Sequence, residues 1–122
     1  MKTHEARGLH LLAECEECAS LPDLAELEPL LRSAATAGGA TVVGVLTHQF
    51  GQQDGVAGVA LLAESHLSIH TWPEFRYAAV DVFLCGAACD PAAALQVLTR
   101  SLRAGRVQSR LIVRERGRQP AV

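Results

Sequence analysis

Between Thr41 and Leu84 the chain is a near-unbroken series of strand-forming segments, joined by turns too short to hold a helix. Thr41 to Phe50 is β-branched and apolar, which suits a pleated, half-buried surface. Gly51-Gln52-Gln53-Asp54-Gly55 is a turn with flexible ends. Val56 to Glu64 returns as the second limb of a hairpin, apolar enough for a central strand. In the next extended segment His66, Ser68 and His70 share one face, while Leu67, Ile69 and Thr71 take the other. Pro73 ends it, having no N–H for a ladder. In the strand Tyr77 to Leu84, Ala78, Val80, Val82 and Leu84 face one way. Tyr77, Ala79, Asp81, Phe83 and then Cys85 face the other. Hairpins force antiparallel neighbours, so this region predicts an antiparallel sheet.

The flanks supply the second layer. Leu9 to Glu14 alternates as a first strand. Leu24, Leu27, Leu31 and Ala34 recur at helical spacing, predicting a helix over about Glu26 to Ala37 with Gly38-Gly39 as its stop. Pro29 fits only if that helix starts just before it. Asp90-Pro91 reads as N-cap and first residue of a second helix. Leu95, Leu98 and Leu102 form its buried stripe, Arg100 and Arg103 favour its C-terminal end, and Gly105 closes it. Val107 to Glu115 is a last strand with Val107, Leu111 and Val113 inward. The order β-α-β-β-β-β-α-β predicts an α+β fold: a two-layer α/β sandwich, with an antiparallel sheet carrying both helices on one face. At 122 residues this is one domain. The other face of the sheet is bare in a monomer, and a second copy is the obvious cover.

Charge removes some functions. A net charge of −2 and a pI near 6.2 give no basic face for nucleic acid. Arg110, Arg114, Arg116 and Arg118 cluster late and read as a solvated tail. No apolar run is long enough for a signal peptide or a membrane span, so a cytoplasmic protein is expected, with no membrane partner. Cys15, Cys18, Cys85 and Cys89 are then expected as thiols.

Residues able to do chemistry concentrate in Leu61 to Gly86: LLAESHLSIHTWPEFRYAAVDVFLCG. Each has an ordinary alternative. Cys15-x-x-Cys18 with Cys85-x-x-x-Cys89 has zinc-ligand gaps, but the halves lie far apart and ordinary thiols are favoured. A redox pair at Cys15 and Cys18 lacks a thioredoxin-like context. His66 and His70, with His48 or His10, could bind a metal, yet no carboxylate pattern supports it and no metal is expected. Ser65 beside His66 lacks the Gly-x-Ser-x-Gly elbow of a hydrolase. Trp72, Phe75 and Tyr77 would ordinarily be core or rim aromatics.

AESHLSIHTWPE, followed by YAAVDVF-x-CG, resembles the signature of the small prokaryotic S-adenosylmethionine decarboxylases, which are pyruvoyl enzymes. The resemblance runs from about Gly8 to about Arg118 and includes GATVVG (Gly39 to Gly44) and ERGR (Glu115 to Arg118). It implies the fold already read from the pattern, used as a homodimer of cleaved protomers. It implies self-cleavage between Glu64 and Ser65, giving a β chain of residues 1–64 and an α chain of residues 65–122. Ser65 would become a covalent pyruvoyl group, the cofactor, whose carbonyl takes the amine of S-adenosylmethionine and accepts the electrons left by CO₂. His70 matches the histidine assigned to proton transfer during processing, a role neutral imidazole suits. Cys85 matches the general acid that returns a proton to the substrate. Phe50 and Trp72 match aromatics that stack on adenine, and Glu74 the carboxylate that holds the ribose. Glu14 matches an acidic residue at the end of the first strand.

Three departures stand out. Ala57 replaces a serine that assists processing, Cys15-Glu16-Glu17 replaces aromatics after Glu14, and Arg76 replaces a small residue beside Glu74. They leave two alternatives beside decarboxylation of S-adenosylmethionine for spermidine synthesis. One is the same machinery acting on ornithine or arginine, and the other is an uncleaved binding module.

Overall fold

The computed structural model describes residues 6–117. Its elements are β1 (Arg7–Cys18), α1 (Leu24–Ala37), β2 (Val42–Gln49), β3 (Val56–Leu62), β4 (Ser65–Trp72), a 3₁₀ turn (Pro73–Phe75), β5 (Tyr77–Cys85), α2 (Pro91–Leu102) and β6 (Ala104–Glu115). The six strands form one sheet in the order β2-β3-β4-β5-β1-β6, antiparallel at every described pairing. Both helices lie on one face: α1 over β2 and β3, α2 over β1 and β5, and each against the other. This is the expected α+β two-layer sandwich.

The alternation read from β4 and β5 sets the two faces. Leu67, Ile69 and Thr71 of β4, with Ala78, Val80, Val82 and Leu84 of β5, are buried under the helices. Burying this Leu/Val/Ala layer is the main stabilising term, about 25 cal/mol per Å² of apolar surface. At Gly58 the helix comes so close that a Cβ would meet Leu27 Cδ2 and Leu31 Cδ1 at 2.8 Å. A side chain there would lift α1 off the sheet.

Several boundaries differ from the sequence reading. Helix α1 begins at Leu24, because Asp23 and Glu26 form a reciprocal capping box. Pro29 therefore sits inside the helix, and Leu24 is 40% exposed. In α2 the left-handed cap is Arg103, while Gly105 already belongs to β6; Ala94, rather than Leu95, is fully buried. Strand β1 runs on to Cys18, because β6 pairs with it as far as Cys18↔Ala104, beyond the end of the β5 ladder at Cys15.

The largest correction is β6. Val107, Leu111 and Val113 align with Cys15, Leu11 and Leu9, on the helix side as expected. They are nonetheless 40%, 57% and 36% exposed, because β6 is an edge strand and α2 barely reaches it. Arg110 and Arg114 lie on this strand rather than on a solvated tail. Arg118 falls outside the described residues.

Candidate active site

The helix-free face, hereafter the open face, carries Cys85, His70, Trp72, Tyr77 and Glu14, while Ser65 has the register of Leu67 and Ile69 on the helix side at the edge of β4; the chemistry separates into two ends. At one end β3 turns into β4 through Ala63 and Glu64, with Leu62 and Ser65 paired across the turn. Glu64 has φ +65°, a left-handed conformation that costs a non-glycine residue roughly 1–2 kcal/mol. The Glu64–Ser65 link is thus a strained peptide in a two-residue turn. Ser65 is 6% exposed, and its Oγ accepts a hydrogen bond from the Cys85 N–H at 3.1 Å. Beside it an open cleft of about 810 Å³ is lined by Glu64, Cys85, Gly8, His10, Phe83 and Arg114, among others. Sequence reasoning takes Glu64, Ser65 and Cys85 from this end, but it weighs His10 only as a metal ligand, reads Arg114 as part of a solvated tail and gives Phe83 no role. What it lacked was the placement of β1 and β6 beside β5.

At the other end stands a ladder of rings. His70 stacks on Trp72 with centroids 3.8 Å apart and planes 3° apart, and Phe50 covers the other side of His70 at 4.9 Å. Trp72 continues onto Tyr77 at 5.0 Å, and Phe50 meets His48 edge-on at 5.0 Å. Phe50 and Trp72 therefore sandwich His70, leaving no gap between them for another ring. Glu14 accepts a hydrogen bond from the Tyr77 hydroxyl at 2.7 Å. Glu74 sits in the 3₁₀ turn that follows Trp72. His70 is five residues from Ser65 along a straight strand, roughly 16 Å at strand rise. The structure brings Ser65 to Cys85 and His70 to Phe50, Trp72 and Tyr77, but it does not bring these two groups together within one protomer.

The carboxylate beside it pushes the Tyr77 phenol up to about 12, with burial adding to the effect. Tyr77 is the chain's one tyrosine, so tyrosinate absorbance reports it alone. Ionisation is expected near pH 12 instead of the ordinary value of about 10. Because the folded value is the higher, this bond's contribution to stability is complete below pH 10 and is lost as the pH rises through 12. Glu14→Gln should return the midpoint toward 10; an unmoved midpoint would exclude Glu14 as the cause.

Cys15 and Cys18 are buried on β1, with the Cys18 thiol donating to the Cys15 carbonyl at 3.4 Å. Burial pushes the Cys15 thiol up to about 11 and raises Cys18 too, the reverse of a reactive pair. Cys85 and Cys89 lie at the opposite end of β5, so no four-cysteine site forms. Among the described residues no three His, Cys, Asp or Glu side chains are grouped to hold a metal ion. Cys15 points into the helix layer, so its departure from the family pattern does not alter the open face. Arg76 is the left-handed cap of the 3₁₀ turn, at φ +48°. Ala57 stands directly across from both His48 and His70.

Fold and site together define a class: a two-layer α+β sandwich whose strained Glu-Ser turn lies against a cysteine-bearing cleft. The family model for S-adenosylmethionine decarboxylase matches residues 9–115. The chain is 50% identical over 110 residues to an S-adenosylmethionine decarboxylase proenzyme of Parasynechococcus marenigrum, covering 88% of this chain and 85% of that protein. It is 44% identical over 113 residues to the proenzyme of the same name from Thermotoga petrophila, covering 91% and 85%. The crystal structure of the adenosylmethionine decarboxylase from Aquifex aeolicus superposes with a TM-score of 0.79 at 33% identity, over 96% of each chain. The chain belongs to the S-adenosylmethionine decarboxylase family, whose proenzymes are pyruvoyl-dependent decarboxylases.

Proposed function

We propose that this chain cuts itself between Glu64 and Ser65 and, as a dimer, decarboxylates S-adenosylmethionine for spermidine synthesis. The observation that carries this reading is the left-handed Glu64 preceding a buried Ser65, in a chain of this family. Ser65 Oγ attacks the Glu64 carbonyl carbon, and the amide becomes an ester. Leaving the strained turn favours that exchange. Loss of the Ser65 α-proton expels the ester oxygen. That elimination frees residues 1–64 with a Glu64 carboxylate and leaves dehydroalanine at position 65, whose imine tautomer is hydrolysed to the keto-terminated 65–122 with release of ammonia. Ser65 is buried against the Cys85 N–H, between the cleft-lining Glu64 and Cys85, and a small terminal pyruvoyl group fits that position. That group supplies an electron sink for the departing CO₂. Cys85, in the cleft, returns the proton. Because that thiol has to stay reduced, we assign the protein to the cytoplasm.

The separation of the two ends supports a shared site. Leu46, Leu61, Val59 and Ile112 are 78%, 56%, 46% and 41% exposed, and all four project from the open face. An apolar patch of this kind asks for a partner. A second copy laid face to face, about a two-fold axis running across the strands, keeps β4 over β4 and exchanges the ends. His70, Trp72, Phe50, Glu14 and Glu74 of one protomer then lie over the Glu64–Ser65 turn and Cys85 of its partner. There His70 can move the processing proton, while the carboxylates beside the ring ladder attract the adenosyl sulfonium.

Release of labelled CO₂ from S-adenosylmethionine, beside ornithine and arginine, tests the substrate; product from ornithine or arginine alone would reject it. Coexpressing Cys85→Ser with Trp72→Ala tests the sharing. Random pairing should restore roughly a quarter of wild-type activity, from one intact site in each mixed dimer. No recovery would confine the site to one protomer. Ala57→Ser places a hydroxyl beside His70, and severalfold faster cleavage is expected in a time course after cell-free synthesis. An unchanged rate would show that position 57 takes no part in processing.

A further inference from the structure

We propose that Arg114 receives the α-carboxylate of the substrate, which makes it a substrate-binding residue at the reacting end of the cleft. This rests on the decarboxylase reading above. It adds a contact that neither the sequence motif nor the two groups of site residues contain.

Arg114 projects from β6 onto the open face and lines the same cleft as Glu64 and Cys85. Its guanidinium is held in place from two sides. The Cζ lies 4.9 Å from the centre of the Phe83 ring, and Nη1 lies 3.3 Å from His10 Nδ1. A guanidinium has donors alone, so His10 Nδ1 accepts and the Nε2–H is left to donate. It donates to Asp81 Oδ1 at 3.0 Å, and Ser68 Oγ approaches Asp81 Oδ2 at 3.5 Å. A chain of polar contacts thus crosses four strands, from β6 through β1 and β5 to β4, and ends on Arg114. One guanidinium nitrogen is fixed by this chain. The others remain able to meet a carboxylate in the two-pronged geometry that arginine favours.

Charge points the same way. The cleft is lined by Arg7, Arg114 and Arg116 against Glu64 and Glu115, three positive charges to two negative. The ring ladder at the far end carries Glu14, with Glu74 just beyond it. In the face-to-face arrangement each site has a cationic wall at one side and an acidic, aromatic wall at the other. S-adenosylmethionine has the opposite polarity at each end, with a carboxylate on the reacting carbon and a sulfonium toward the adenosine. Because the carboxylate is lost during the reaction, an ion pair to it holds the substrate more than it lowers the barrier. The effect belongs mainly in KM.

The test compares two ligands that differ by the carboxylate alone: the substrate, and the decarboxylated product used as a competitive inhibitor. Arg114→Gln is expected to raise KM for S-adenosylmethionine roughly 10- to 100-fold, the scale of one charged hydrogen-bonded contact. Inhibition by the product should stay within about twofold, and kcat should move far less than KM. An unchanged KM would overturn the proposal. So would a parallel loss of product inhibition, which marks a structural or long-range effect. Intact mass reports maturation of the variant. Should Arg114→Gln remain uncut, Arg114→Lys carries the same comparison, with a smaller rise in KM and the product constant again unmoved. A wild-type enzyme that releases no CO₂ from S-adenosylmethionine defeats the underlying reading instead, a result separable from either outcome with the variants.

Discussion

Ser65→Ala is expected to yield one uncut chain that releases no CO₂ from S-adenosylmethionine. The effect is total because this one hydroxyl supplies two things. It is the nucleophile that opens the Glu64–Ser65 peptide, and its carbon skeleton becomes the carbonyl used in every turnover. Alanine offers neither an attacking oxygen nor a β-leaving group. The fold should survive. The substitution removes a single hydrogen bond, from the Cys85 N–H to Ser65 Oγ, worth about 1 kcal/mol. Denaturing mass spectrometry should show one species, and circular dichroism an intact protein. Two fragments divided between residues 64 and 65 would end the serine mechanism.

Cys85→Ser separates maturation from turnover. Cleavage should proceed, since the contact Cys85 makes to Ser65 comes from its backbone N–H and any residue retains it. Turnover should fall by roughly 10²- to 10⁴-fold, the usual contribution of a positioned general acid. Serine is nearly isosteric but a much poorer proton donor. The measurement is kcat on fully cleaved enzyme, with the two-chain mass as the control. Normal kcat would remove the thiol from the reaction. Failure to cleave would move its role into processing.

Much of the architecture was legible because local rules and tertiary packing agreed. Period-two alternation in β4 and β5 assigned their faces correctly, and Asp90-Pro91 marked the start of α2. Helix α1 starts two residues before the expected Glu26, because the Asp23/Glu26 capping box sets the start and Pro29 is accommodated inside. The length of β1 was underestimated because Glu14 and Glu16 look like a strand's end. They remain in the ladder because β6 pairs with that stretch. Of the site, the Leu61 to Gly86 segment stood out as a cluster of chemistry. His10 and Arg114 did not, since 104 residues separate them and nothing local marks either one.

The amino-acid order alone settled the alternating faces, the turns and caps, and the motif that announces the family, because each depends on neighbours within a few residues. The tertiary structure decided which strand became the bare edge and which distant side chains share the cleft. Those depend on how strands remote in sequence align, and cross-strand register is a property of the assembled sheet rather than of any one segment.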